Sequence, residues 1–443
     1  MSFRKSSFIV DCGRDPEGKR QYFNTLSRKF ILLPGELEAL AAAPGTDARV
    51  LEFLKKGKWL TPAASYEEEL RDALDLITAA GSGSSALSVV FTVTTKCNLN
   101  CSYCFQNNAE RMDAPAGICA ALPGFIRKEA QARPAVKKVR LSLFGGEPLL
   151  RQEACLALLD SVQRECADLS LQFEAGIVTN GLGAAPDFWR AAAKSGLKKV
   201  QVTIDGSEKV HDAFRRLNGA GTYGPLLALC GPLSETFQLS LKYNLNRRSA
   251  EGFGEFVGDL AARGFNKANT HIVLEAVKAI DYNEAGDYYF PADSNEAGDA
   301  YAACAEAGLR AGWQVTLTHL FQPPCMYTQV RPSSLVIRPD GGISRCISVY
   351  NDDTDFSAGN ITDAAPLPGN AAIRAVIEDG AGNCKAAKCP LFPVCMTGCP
   401  SHKKLKFGTI KTAFCRRAHI EKTIKDLGRI RSKDPKVFER LEF

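Results

Sequence analysis

Cys97, Cys101 and Cys104 stand in the run Lys96-Cys97-Asn98-Leu99-Asn100-Cys101-Ser102-Tyr103-Cys104-Phe105, so three thiols share one short stretch. Thiolates at this spacing are ligands for a single compact inorganic centre. A tetrahedral zinc site or a fully ligated four-iron cluster takes four protein ligands, and no fourth stands nearby in sequence. A cubane held by three thiolates keeps one iron open, and an open iron can chelate a small molecule. About forty residues on, Gly145-Gly146-Glu147-Pro148 offers close backbone approach and one carboxylate. The competing readings are a zinc knuckle or unrelated core cysteines for the first run, and a plain turn for the second.

More cysteines gather toward the C-terminal end. Cys325, Gly341 and Cys346 give Cx15Gx4C; Cys384, Cys389, Cys395 and Cys399 give Cx4Cx5Cx3C; Cys415 closes the set. Sixteen cysteines would mean disulfides in a small secreted protein. In a chain of 443 residues whose start, Met1 to Phe8, has no signal-peptide core, they read as metal ligands in a cytoplasmic protein. A zinc ribbon is the competing reading here. Cys119, Cys155, Cys166 and Cys230 fall in helical stretches and read as small core residues.

The cysteine spacing, the aromatic Tyr103 before the third cysteine and the downstream GGEP together resemble the radical SAM superfamily. The resemblance implies that Cys97, Cys101 and Cys104 ligate a [4Fe-4S] cluster whose open iron binds the amino and carboxylate groups of S-adenosylmethionine. It sets Tyr103 beside the adenine and assigns Gly145, Gly146, Glu147 and Pro148 to the methionine ammonium. The stretch Gln201 to Gly206, with His211, Asp212 and Arg215, resembles the strand-end pattern of radical SAM peptide maturases. Thr203 then lies near the SAM carboxylate, Asp205 and Arg215 line the cavity as catalytic candidates, and Asn244 reaches the ribose or carboxylate. A helix-entry turn at Asp205-Gly206 with a surface His211 would read the same way.

The C-terminal cysteines resemble the SPASM extension, which holds two auxiliary four-iron clusters and implies three clusters in all. Carried over by position, Cys325, Cys346 and Cys399 bind the first auxiliary cluster, and Cys384, Cys389, Cys395 and Cys415 the second. The family's second block carries CxxC, whereas four residues separate Cys384 from Cys389. The first auxiliary cluster is one ligand short, since Gln329 to Pro332 contain no cysteine. A substrate thiolate, a water, or a distant cysteine such as Cys12 or Cys304 would fill the place.

The resemblance implies a RiPP maturase that cleaves SAM to a 5′-deoxyadenosyl radical and modifies a ribosomally made precursor peptide. A Cys thioether crosslink is the economical product, and a flavodoxin- or ferredoxin-like protein the electron donor. Sulfatase-type maturation fits less well, because Ile347 follows Cys346 where those relatives carry Asp. C–C or ether crosslinking, epimerisation, dehydrogenation of a small molecule, and a non-enzymatic iron–sulfur electron carrier share the same cysteines.

Such residues need a scaffold, and the chain has the length for two or three domains. Residues 1–80 read as short strands, Ser7 to Val10 and Tyr22 to Leu33, then helices at Glu36 to Ala43 and Tyr66 to Ala79. That pattern suits a small α+β, winged-helix-like module for leader-peptide recognition. Gly81-Ser82-Gly83-Ser84-Ser85 reads as a flexible linker. Residues 87–312 alternate β-rich runs with helical stretches: strands at Ser88 to Thr94, Lys138 to Phe144, Gln172 to Thr179, Lys199 to Ile204, Leu239 to Asn244 and Asn269 to Glu275. These predict an α/β core, a partial (β/α)6 TIM barrel with its chemistry at the strand C-termini. Residues 313–443 read as the cysteine-rich SPASM domain, opening with a hairpin at Ser334 to Ile337 and Ile343 to Ile347.

With 45% hydrophobic and 23% charged residues and no apolar run of spanning length, no membrane role is expected. The net charge of +6 is uneven: residues 400–433 hold eleven Lys or Arg against Glu421 and Asp426. A basic run of this kind could hold an acidic peptide or RNA, but a solvated helix face is the plainer reading, and no nucleic-acid partner is expected.

Overall fold

The computed structural model describes residues 3–43, 46–107, 109–185, 187–277, 290, 295–317, 325–439 and 441–442. Small parts of the expected modules 1–80, 87–312 and 313–443 lie outside the described residues.

The chain opens with an antiparallel sheet of β1 (Ile9–Arg14), β2 (Arg20–Asn24) and β3 (Lys29–Leu33). The stretch read as one strand from Tyr22 to Leu33 is two, because Arg28 turns the chain with a φ of 57°. Helices α1 (Leu37–Ala42), α2 (Ala48–Lys56) and α3 (Tyr66–Ala79) come next. Ile9, Tyr22, Ile31, Leu37, Leu54 and Trp59 make a small core of their own. α3 begins at Ser65, whose hydroxyl accepts from the Glu68 amide, and it packs elsewhere: Tyr66, Leu70, Leu74 and Ile77 share a core with Tyr327, Phe356, Ile373 and Phe392. The Gly-Ser stretch after α3 is packed rather than a free linker. Gly81 is buried, and a Cβ there would sit 2.1 Å from the Arg331 carbonyl oxygen.

The main sheet is built from repeating strand–helix units: β4 (Ala86–Thr94), α4 (Ala116–Gln131), β5 (Lys138–Gly145), α5 (Gln152–Asp168), β6 (Gln172–Thr179), α6 (Phe188–Lys194), β7 (Leu197–Ile204), α7 (Glu208–Phe214), α8 (Tyr223–Thr236), β8 (Gln238–Leu245), α9 (Phe253–Ala262), β9 (Thr270–Ala276), α10 (Asn295–Arg310) and β10 (Gln314–Leu317). Strands β4 to β10 pair in parallel and in chain order. All six expected strands form.

Two additions come from beyond residue 312. β10 extends one edge, and β11 (Ser334–Ile337) pairs in parallel with β4 at the other, continued by antiparallel β12 (Gly342–Ser344) and β13 (Ser357–Asn360). Leu441–Glu442 adds a last short strand beside β10. Among the described residues the sheet stays open between these edges. Helices α11 (Ile373–Asp379), α12 (Pro400–Phe407) and α13 (Arg417–Lys433) complete the C-terminal part.

Burial alternates along these strands. Val89, Phe91, Leu141, Leu143, Val200, Val202, Leu239, Leu241, Ile272 and Leu274 are at most 1% exposed and face the helices. Each contributes roughly 1.5–3 kcal/mol of burial. The intervening positions are polar: Glu174 lies 2.7 Å from Lys199, and Lys242 2.7 Å from Glu275. A parallel sheet covered by helices on both faces would be apolar on both. Here one face is left to line a polar interior, and its strand C-termini open on the cysteine loop. No helix among the described residues is long and apolar enough to cross a membrane.

Candidate functional site

Backbone packing explains the two glycines of GGEP. Gly145 has a φ of 153°, and a Cβ on it would lie 2.0 Å from the Thr94 carbonyl oxygen; one on Gly146 would lie 2.3 Å from that of Lys96. The amides of Gly146 and Glu147 donate to those same carbonyls at 2.8 and 2.9 Å. The stretch thus clamps the exit of β5 against the exit of β4, where the cysteine loop begins. The close approach that these glycines allow is to the backbone of the neighbouring strand exit.

Glu147 is fully buried and turned inward. Its carboxylate accepts from the Leu149 amide (2.8 Å), the Thr179 hydroxyl (2.7 Å) and the Asn180 amide (2.6 Å), joining β5 to β6. Burial pushes its pKa up to about 7 against those three hydrogen bonds. Pro148 starts a short 3-10 turn behind it. Asn180 also reaches the cysteine loop, its amide nitrogen 2.7 Å from Asn98 Oδ1 and 3.8 Å from Cys97 Sγ.

A second network gathers Tyr103, Asp205, Arg215 and Asn244. Asp205, fully buried after β7, accepts from the Tyr103 hydroxyl, from Arg215 Nε at 2.5 Å and from Asn244 Nδ2 at 2.6 Å. The Arg215 guanidinium stands 5.9 Å from the Tyr103 ring centroid. Burial opposes the Arg215 charge, yet Asp205 holds it well above the ordinary range. The two catalytic candidates are therefore an ion pair that fixes the loop tyrosine, with no free acid or base between them. Asn244 is likewise tied to Asp205 and Tyr103. Thr203 lies on the same strand face, half-buried and outside this network.

His211 is fully buried, which corrects the surface reading. Its Nδ1 accepts from the Asp205 amide at 3.3 Å, so the proton sits on Nε2, which donates to Thr222 Oγ1 at 3.1 Å. Burial lowers its pKa to about 4. Asp212 caps α8 by accepting from the Thr222 and Tyr223 amides.

Burial pushes the Cys97 thiol up and the Cys101 thiol to about 11. In the C-terminal part, Cys384, Cys389, Cys395 and Cys415 line one small cavity with Phe392, Thr397 and Arg417. Burial pushes the Cys384 thiol to about 11 and that of Cys395 to about 12. Metal ligation would reverse both shifts. Among the described residues no three His, Cys, Asp or Glu converge as ligands of a single ion. Cys325, Cys346 and Cys399 lie outside that cavity lining: Cys325 is exposed before the turn Met326–Thr328, Cys346 comes after β12, and Cys399 precedes α12. Cys12 is half-buried in β1 and Cys304 buried in α10, and loss of solvent pushes both thiols up to about 12. Of the expected core cysteines, Cys155, Cys166 and Cys230 are buried and Cys119 half-buried.

Two residues escaped the sequence reading. Gln106 donates to the Gly145 carbonyl (3.1 Å) and to the Tyr350 hydroxyl (2.9 Å), tying the cysteine loop to both GGEP and the C-terminal part. Tyr350 lies where both Cys104 and Cys346 influence its phenol. Neither belongs to a spaced motif.

A family model described as "4Fe-4S single cluster domain" matches residues 79–223. A Pre-heme d1 synthase of Dinoroseobacter shibae is 33% identical over 132 residues, 30% of this chain and 30% of that protein. The chain thus aligns with under a third of that relative's length. Solved structures cover more. Native anSMEcpe with bound AdoMet and Cp18Cys peptide superposes with a TM-score of 0.58 at 15% identity, over 80% of this chain and 98% of that one. Streptococcus suis SuiB bound to precursor peptide SuiA gives 0.57 at 16% identity, over 94% and 100%. The chain shares the fold of these AdoMet- and peptide-bound proteins, and residues 79–223 are similar in sequence to a four-iron cluster domain.

Proposed function

We propose that the protein is a SPASM-type radical SAM peptide maturase that forms a Cys thioether in a ribosomally made precursor. The observation that carries this reading is the junction at the strand exits: the three-cysteine loop is locked to GGEP and to Asp205 on one rim of a parallel sheet. Cys97, Cys101 and Cys104 hold a [4Fe-4S] cluster there, with S-adenosylmethionine on its open iron. Cys384, Cys389, Cys395 and Cys415 hold an auxiliary cluster in their cavity, and Cys325, Cys346 and Cys399 another with an open place for a substrate thiolate. Bound on the rim, cluster and SAM supply a 5′-deoxyadenosyl radical when one electron arrives from a flavodoxin- or ferredoxin-like donor.

The chain's own residues orient and exclude. Asp205 and Arg215 hold Tyr103 against the adenine side, Asn244 and Thr203 complete the wall near the SAM carboxylate, and Glu147 braces the GGEP backbone toward the ammonium. The sheet β1–β3 offers the edge of β3, paired on one side only among the described residues, to a leader strand. In the net reaction one peptide hydrogen would go to the 5′-deoxyadenosyl radical, the thiol proton to solvent and the one electron left over to the auxiliary cluster that would hold the thiolate, as the new C–S bond replaces C–H and S–H.

Incubating reconstituted protein with SAM, a reductant and a Cys-containing precursor should give 5′-deoxyadenosine and a product two hydrogens lighter, resistant to alkylation at one thiol. The paramagnetic spectrum should change with that precursor and not with its Cys-to-Ser version. A lighter product that still alkylates fully would exclude the thioether while keeping the radical chemistry.

A further inference from the structure

Among the described residues of the basic run 400–433, one cation is fully buried. Lys404 pairs with Asp353 and Asp355, Lys425 and Arg417 with Glu421, and Lys422 and Arg429 with Asp426. Lys403 is 3% exposed and has no carboxylate partner among the described residues. Its ammonium donates to Thr397 Oγ1 and, at 3.2 Å, to the Ile410 carbonyl. A buried cation without an anion costs several kcal/mol. Burial pushes its pKa down, and the thiols of Cys395, Cys399 and Cys384 pull the other way.

The other end of that hydrogen bond explains the cost. Thr397 stands in the wall of the four-cysteine cavity. It is held there with a φ of 63°, next to Met396 at 48°, by its carbonyl accepting from the Phe414 amide at 2.8 Å. Two consecutive side-chain-bearing residues in the left-handed region are strained and persist where a site requires them. Four thiolates outweigh the positive charge of an iron–sulfur core, so a cluster in this cavity is a net anion. Arg417 also lines this cavity.

We propose that Lys403 is the buried counter-charge of the centre held by Cys384, Cys389, Cys395 and Cys415, and that it raises that centre's reduction potential. The inference rests on the cluster assignment made above. Net charge and surrounding hydrogen bonds are what tune such potentials.

The test is a redox titration of the reconstituted full-length protein, monitored by electron paramagnetic resonance, with iron counted in every sample. Lys403→Met should make reduction of this centre at least tenfold less favourable, about 59 mV for one electron. Lys403→Arg should recover most of the difference. If the Met variant loses the iron, Lys403→Arg must restore it and neutral Lys403→Gln must not. Full iron with an unmoved potential overturns the proposal, as does rescue by Gln. Only about four irons in the unaltered protein would instead defeat the cluster assignment itself.

Discussion

The two cysteine regions are held in opposite ways. The loop of Cys97, Cys101 and Cys104 hangs from strand ends whose order owes nothing to metal: β4 to β10 are paired throughout and their apolar faces are sealed by helices. The cavity of Cys384, Cys389, Cys395 and Cys415 sits among short helices and turns, with left-handed Lys388, Met396 and Thr397 between the thiols. Its apolar support is partly borrowed from Phe8, Tyr66, Leu70 and Leu74 of the N-terminal part. In the first region metal would act as a cofactor on a finished fold; in the second it would be part of the fold.

The largest expected effect separates the two at once. Changing Cys97, Cys101 and Cys104 together to Ala should remove about four of roughly twelve irons and all SAM cleavage, yet leave thermal unfolding of the sheet nearly unchanged. Changing Cys384, Cys389 and Cys395 together to Ala should also open the C-terminal part to proteolysis. Equal loss of stability in both triple variants would erase the contrast. The borrowed core also bears on leader binding. Deleting residues 1–80 removes six of the fourteen buried residues of a shared apolar core, so reversing the charge of exposed Lys29 on the β3 edge with Lys29→Glu is the cleaner probe of precursor affinity.

A smaller effect compares ion pairs. Asp205 and Arg215 are buried, so Asp205→Asn strands a charge and should cost about 3–5 kcal/mol in denaturant unfolding. Lys404 and Asp355 are each about one-third exposed, and Asp355→Asn should cost about 1 kcal/mol or less. Similar losses at the two sites would show that the rim network carries no special weight.

Much of this was legible from spacing. Strand positions came from β-rich apolar runs alternating with helical stretches, and the rim location of the cysteine loop from the order strand, cysteines, strand, GGEP. What the sequence hid was partnership. Asp205, Arg215, Tyr103 and Asn244 are separated by up to 141 residues, and only the fold reveals that they satisfy one another. β10 was hidden for a related reason: it is four residues long and takes its meaning from β9 beside it, whereas β11 was legible as a hairpin arm and only its parallel pairing with β4 was hidden. The Gly-Ser stretch misled because composition signals freedom, whereas Gly81 is there for a tight backbone contact.

The smallest effect is a pH dependence confined to the rim. His211 has its pKa lowered from 6.5 to about 4, so its contribution to stability is complete above pH 6.5 and is lost as pH falls toward 4. Glu147 has its pKa raised from 4.5 to about 7, so the folded state holds a proton that the unfolded state has released, and stability falls as pH rises across that window. Each shift carries about 3 kcal/mol with opposite sign, so the two nearly cancel in the native chain. His211→Asn should leave the Glu147 slope, with stability declining from pH 4.5 to 7, and Glu147→Gln should leave the rising slope of His211. Urea unfolding monitored by fluorescence of Trp189 and Trp313, both in the main core, reads this region rather than the C-terminal one. Parallel profiles for the two variants would mean that neither group titrates as its burial dictates, and that the rim is wetter than the packed sheet around it implies.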